Sequence, residues 1–342
     1  MDGRNLISRK QKLIVVLILT VFIVFGAVFI FLDWHNIRLV ASTANWMSIL
    51  FALLLSAAVN FCLSWSFLII NRIYDIRITT GNLFVIGYVS SALSNLLDFM
   101  GLAGHSLRLL LMQGKEIEPC QVLAASLIHS YFNNLIMLSL LPVGVIYLIL
   151  NTTLNKVTII TLGVVAFLLM VGILYAAFVS FNRRFRLPVL RILQKVIFFF
   201  LRRDLSTFLG ELDCSMETGG KSFKEHPQRL VLAVLLIIAQ WTFAILSLWF
   251  CFYALGTQMN WGVLITGFAV GIIFGNLSLI PAGLGVQEVS FVGIYVLFGI
   301  PLERAVLAAL LFRMVYDFIP FFVSLPFYNN LLRIRDKNML NP

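Results

Sequence analysis

The chain has 342 residues, 61% of them hydrophobic and 12% charged, with a mean hydropathy of +0.98. A soluble domain is roughly 45–50% apolar and about 25% charged, so this composition excludes a large soluble catalytic domain. The net charge of +10 belongs with anionic lipid headgroups rather than nucleic acid, because no basic stretch carries a nucleic-acid recognition motif.

The apolar stretches are long and unbroken rather than alternating, which predicts membrane-spanning helices and not a barrel. Arg4, Arg9, Lys10 and Lys12 precede a run at about 13–32. That run is too long for a signal-peptide core and lacks a small-x-small cleavage site, so it reads as a retained first span. Further runs follow at about 46–70, 82–112, 119–150, 156–181, 229–256, 261–299 and 302–328. The runs at 82–112 and 261–299 are interrupted by FMGLAGHSLR (99–108) and IPAGLGVQE (280–288). The arms after these breaks, 105–112 and 286–299, are short for a hydrocarbon core about 30 Å thick. Both runs read as hairpins of broken helices; the other reading is two tightly packed full spans in each.

The segment 182–228 is the main loop. Within it, Arg191, Lys195, Arg202 and Arg203 flank a Phe/Leu/Ile surface, which reads either as a helix in the headgroup layer or as a brace packed on the bundle. Cys62, Cys120, Cys214 and Cys251 form no CxxC pair, so neither a disulfide framework nor a zinc site is expected. No low-complexity linker divides the chain, which predicts a single polytopic membrane domain over 1–342.

Basic residues set the orientation. With both termini cytoplasmic and each hairpin returning to its own side, 20 of the 25 Lys and Arg residues fall in cytoplasmic segments. Only Arg38, Lys156 and Arg304 fall outside, while Arg108 and Arg313 lie at membrane depth. A multi-pass protein of the plasma membrane with both termini inside is therefore expected.

The sequence VLAASLIHSYFN at 122–133 returns as VLAALLFRMVYD at 306–317, an offset of 184. Each copy follows a proline, Pro119 or Pro301, and before that a glycine-rich break. The first hairpin enters from the cytoplasm and the second from outside, so the copies (about 46–150 and 229–328) are inverted about the membrane plane. Inverted repeats with helices broken near the midplane are the architecture of alternating-access transporters. The fold class expected is an all-α integral membrane protein: about six spanning helices plus two broken-helix (re-entrant) hairpins in an inverted repeat.

Ionisable residues at membrane depth are functional candidates by default. Asp98, His105 and Arg108 lie at the first break, with Asn95 nearby and His129 on the next helix. Glu288, Arg313 and Asp317 surround the second, with Asn276 and Gln287. Arg313 and Asp317 stand four apart on one helix face, and Glu288 offers a second partner for Arg313. In PAGLGVQE, Pro281 breaks the incoming helix while Gly283 and Gly285 let the backbone turn and approach a ligand. The next helix then presents free N–H groups to an anion such as phosphate, with Arg313 or Arg108 as a bidentate partner. The plainer reading is that the glycines serve packing and the charges pair with one another. No HExxH, Walker A or GxSxG sequence is present and no cofactor is implied.

At PAGLGVQE followed by GIPLERAVLAALLFRMVYDFIP, the chain resembles the membrane region of the lysylphosphatidylglycerol synthase/flippase family. The resemblance covers most of the chain and rests on Pro281, Gly283, Gly285, Glu288, Gly299 and Arg313. It implies movement of aminoacylated phospholipid between leaflets, with some relatives serving glycolipid or polyprenyl-linked sugar pathways. Family members often carry a proline and an acidic residue at the first break, where this chain reads MGLAGHSLR. No counterpart of the family's soluble aminoacyl-transferase domain is read here, which implies that this chain is not the synthase. The expected ligand is a phospholipid or polyprenyl-phosphate glycolipid headgroup, held by Arg108 and Arg313 and tuned by Glu288 and Asp317. The competing reading is a non-catalytic partner presenting lipid to a separate glycosyltransferase; a membrane-embedded transferase ranks third. Anionic lipid at the cytoplasmic surface, self-association and a lipid-modifying enzyme are the partners considered.

Overall fold

The computed structural model describes residues 42–97, 103–112, 119–151, 156–201, 225–278 and 280–340, together with Gly210 and Asp213. The first apolar run, residues 98–102 with Asp98, and most of 202–224 lie outside the described residues. All regular structure among the described residues is helical.

Among the described residues, eleven α-helices follow in chain order. They are α1 (Trp46–Ile73), α2 (Thr80–Leu97), α3 (Ala103–Met112), α4 (Pro119–Asn151), α5 (Lys156–Phe181) and α6 (Arg183–Leu201). Then come α7 (Pro227–Ala254), α8 (Trp261–Leu277), α9 (Val286–Leu297), α10 (Leu302–Arg313) and α11 (Ile319–Leu340). A 3₁₀ turn (Pro281–Gly283) separates α8 from α9, and a π-helical turn (Met314–Phe318) joins α10 to α11. Among the described residues, four stretches are long and apolar enough to cross a membrane: Trp46–Ile73, Gln121–Asn151, Pro227–Ala254 and Leu302–Arg335. The chain is an all-α, multi-pass membrane protein.

The run at 261–299 is interrupted as predicted, dividing into α8 and α9. In the run at 82–112, α3 folds back on α2, with Arg108 Nε donating to Ser90 Oγ, while the residues between them lie outside the described ones. At 1.5 Å per residue, α9 spans only about 18 Å, half or so of a bilayer core. Asn45 and Asn260 start α1 and α8 by accepting backbone N–H bonds, from Met47 and from Gly262 and Val263 respectively.

Each half repeats one plan: a 28-residue helix (α1, α7), a six-residue link, a helix of 18 or 17 residues, a break, a short arm and a long closing helix. The first members run antiparallel. Asn45 N donates to Ala254 O at 2.8 Å, Ser247 Oγ donates to Ala52 O at 2.9 Å, and Phe51 stacks on Phe250. Equivalent helices pointing in opposite directions establish the inversion of the repeats by geometry. Their contact is made by small side chains, Ala52, Ser66, Ala233 and Ser247, all with no exposed area. Lipid gives no hydrophobic drive to helix association, so such close approach is what holds the pair.

The halves then exchange partners. The closing helix α4 packs on α8 of the other half, where a Cβ on Gly144 would lie 2.8 Å from Thr266 N and one on Gly262 would lie 2.9 Å from Leu148 N. The matching pair is α2 with α11, joined by a 3.0 Å bond from Tyr88 Oη to Pro320 O. Of the two readings for the amphipathic stretch, α6 packs on α5 through Phe178 and Phe185, and Arg186 pairs with Asp213 at 2.6 Å. Arg191 and Lys195 remain exposed.

Candidate functional site

The second break is built around one cation. Ala282 takes a left-handed φ of 57°, Gly283 60° and Gly285 83°, so three of five consecutive residues adopt backbone that side chains oppose. Gly283 is pressed on α8: a Cβ there would sit 2.7 Å from Gly275 Cα. The strain at Ala282 is held by Arg313, whose Nη2 donates to Ala282 O at 2.6 Å. Its Nη1 donates to Gln287 Oε1 at 2.7 Å. Nε lies 3.2 Å from both Glu288 Oε1 and Asp317 Oδ2, angled so that these are ion pairs rather than directed hydrogen bonds. Glu288 also accepts from Gly285 N at 2.8 Å, closing the start of α9.

This cluster is largely buried. Arg313 is 3% exposed, Asp317 5%, and Glu288 half-buried. Two carboxylates facing one guanidinium are costly to desolvate and stay buried only because fixed donors hold them. One such donor is Gly285 N, and Asn95 of the other repeat lines the same cavity as Asp317.

The first-repeat wall carries Arg108, His105 and His129. Arg108 lies with its guanidinium carbon 4.4 Å above the Phe67 ring, and Nε donates to Ser90 Oγ at 3.2 Å. His129 Nε2 is 2.9 Å from Ser66 Oγ, and its ring meets Phe67 edge-on. His105 is partly buried on α3, beside Gly104, whose added Cβ would meet only the Ser94 side chain.

Both walls face one polar cavity of about 380 Å³. Arg108, His105 and His129 line it from the first repeat and Arg313, Asp317 and Gly283 from the second. Glu288, Gly285 and Pro281 are not among its lining residues: Glu288 accepts from Gly285 N, and Pro281 opens the 3₁₀ turn, while Asp98 lies outside the described residues. Sequence reasoning did not single out Trp241, Asn134, Ser91 or Ser94, which also line the cavity. Gln240, likewise missed, donates to Asn133 at 3.1 Å. One weak signal existed: at an offset of 181, Gly81, Leu83, Val89, Asn95 and Leu96 return as Gly262, Leu264, Val270, Asn276 and Leu277.

Residues 13–324 match the family described as lysylphosphatidylglycerol synthase TM region. The chain belongs to that family. The match runs from the first apolar run through the second repeat, so the cavity, both breaks and the Arg313 cluster all fall within the lysylphosphatidylglycerol synthase TM region. A curated relative, a "UPF0104 membrane protein" of Methanothermobacter thermautotrophicus, is 34% identical over 67 residues, a segment covering 20% of this chain and 20% of that relative. Family membership supports a lipid-related role in the membrane.

Proposed function

We propose that the protein is a lipid flippase or transporter that takes the headgroup of a phospholipid, aminoacylated or not, or of a polyprenyl-phosphate glycolipid into the central cavity and passes it between leaflets. The observation that carries this reading is the convergence of two inverted, broken-helix repeats on one buried polar cavity with cations in both walls. Arg108 is the principal phosphate partner: it lines the cavity from a short arm, and stacking on Phe67 fixes the plane of its guanidinium. Arg313 keeps the second break in shape and turns its remaining N–H groups to the same space. Glu288 and Asp317 set the charge beside it, and His105 and His129 supply further polar contacts to the headgroup. The expected setting is the plasma membrane with both termini cytoplasmic and the exposed basic face of α6 against anionic lipid.

The test is reconstitution of purified protein into phosphatidylcholine vesicles carrying fluorescent phosphatidylglycerol. Dithionite then quenches the outer-leaflet label, and the fraction that later becomes accessible measures transfer. Movement by the protein alone supports transport. Binding of labelled lipid with no transfer supports the competing role, a membrane partner that presents lipid to a separate enzyme.

A further inference from the structure

The two repeats create two equivalent seams leading to the cavity, and they differ. One lies between α2 and α11, the other between α8 and α4. At the α2–α11 seam, Tyr88 Oη donates to Pro320 O, Tyr88 and Phe327 are in ring contact, and Asn95 and Phe318 are half-buried. The offsets of 181 and 184 carry Asn95 onto Asn276, and Phe318 onto Asn134. At the α8–α4 seam, Asn276 is exposed and Asn133, beside Asn134, accepts from Gln240.

Asn134 on α4 is exposed too, and both exposed asparagines line the cavity. The antiparallel register set by Gly144 beside Thr266 and Gly262 beside Leu148 places Asn134 opposite Asn276. Asn276 stands fifteen residues into α8, about 22 Å along its axis, and Asn134 lies near the middle of α4. The pair therefore lies at the depth of the hydrocarbon core. Its rim on the α8 side is apolar: Phe274 is 53% exposed, Leu277 73% and Ile280 40%. A polar throat inside an apolar rim at that depth fits an amphiphile, with chains on the rim and headgroup on the asparagines.

The geometry points to a lateral gate: the α4–α8 seam, with Asn134 and Asn276 as its jambs, admits a phospholipid headgroup sideways from the bilayer, while the α2–α11 seam is latched by Tyr88 on Pro320 O. The gate rests on the transport reading for its purpose but not for its position, so the two fail separately.

The experiment uses full-length protein in which Cys62→Ala, Cys120→Ser, Cys214→Ser and Cys251→Ala remove the native thiols. Asn134→Cys and Asn276→Cys are added singly for spin labelling and together for reversible disulfide cross-linking, in the vesicles described above. Single labels are expected to collide freely with dissolved oxygen and with lipids spin-labelled on the chain, and a label at Phe318→Cys, the counterpart of Asn134, much less. The cross-linked protein is expected to transfer labelled phosphatidylglycerol about tenfold or more slowly, with recovery on reduction. Unchanged transfer through a cross-linked seam overturns the gate and leaves transport standing. If the background variant transfers no lipid, the collision data decide: labels at Asn134→Cys and Asn276→Cys shielded from lipid overturn the gate, and labels in contact with chains sustain it.

Discussion

The two breaks share a scaffold and differ in how they are held. In the second repeat the cation sits on the following helix and reaches back: Arg313 clasps the carbonyl of a left-handed Ala282 and faces two carboxylates. In the first, His129 occupies the place of Arg313 and Asn133 that of Asp317, and the cation Arg108 rides on the short arm itself, against Phe67 and Ser90. Duplication kept the backbone plan and redistributed the charge. The second break is thereby fixed in shape by its cation, while the first carries its guanidinium on the arm, where it holds no turn carbonyl.

That contrast is easiest to break at Arg313. Arg313→Ala leaves Glu288 and Asp317 buried without their cation, a loss of about 3–5 kcal/mol. Thermal unfolding in detergent should show a sharply lowered midpoint or no folded protein. Combining it with Glu288→Gln and Asp317→Asn should restore much of the fold; no recovery would mean that the clasp on Ala282 outweighs the ion pairs.

Next comes Gly283→Ala. A left-handed alanine costs about 1–2 kcal/mol and its clash with the Gly275 backbone a similar amount, together about 2–4 kcal/mol. Equal tolerance of alanine at Gly283 and Gly104 would contradict the difference in rigidity.

Arg108→Ala should instead preserve the fold and weaken binding of fluorescent phosphatidylglycerol about tenfold, equivalent to about 1.4 kcal/mol. Arg108→Lys should recover only part of that, because an ammonium lacks the planar fork and its stacking on Phe67. If Arg108→Ala unfolds the protein as readily as Arg313→Ala, the division of labour is wrong.

The smallest effect expected is from Gly104→Ala. Its Cβ would meet Ser94 Cβ and Oγ at 3.3 Å, and rotation of that serine relieves the contact. A midpoint shift of more than about 1 kcal/mol would show the first break to be as tightly built as the second.

The sequence made the breaks, the repeat and its inversion legible, because glycine, proline and the VLAA segments act locally and the basic residues count across loops. It also exposed Arg313 with Asp317, since a separation of four fixes the helix face. It left open whether Glu288 joins them, which depends on how α9 folds back over α10. Arg108 over Phe67 and Tyr88 on Pro320 O were not legible, because each contact joins elements separated by long stretches of chain. Asn134 escaped notice for another reason: an asparagine in an apolar helix reads as a packing polar residue until its opposite number is known.

The small-residue seam between α1 and α7 has a mechanical consequence. Ala52, Ser66, Ala233 and Ser247 bring the two backbones close enough for a side chain to bond the opposite carbonyl, and side chains of that size leave no slack to slide across. The pair therefore acts as a fixed pivot on the pseudo-two-fold axis, and any traffic through the cavity has to be accommodated by the arms around it. For the proposed gate this assigns any movement to α8 and α4, with the centre of the molecule standing still.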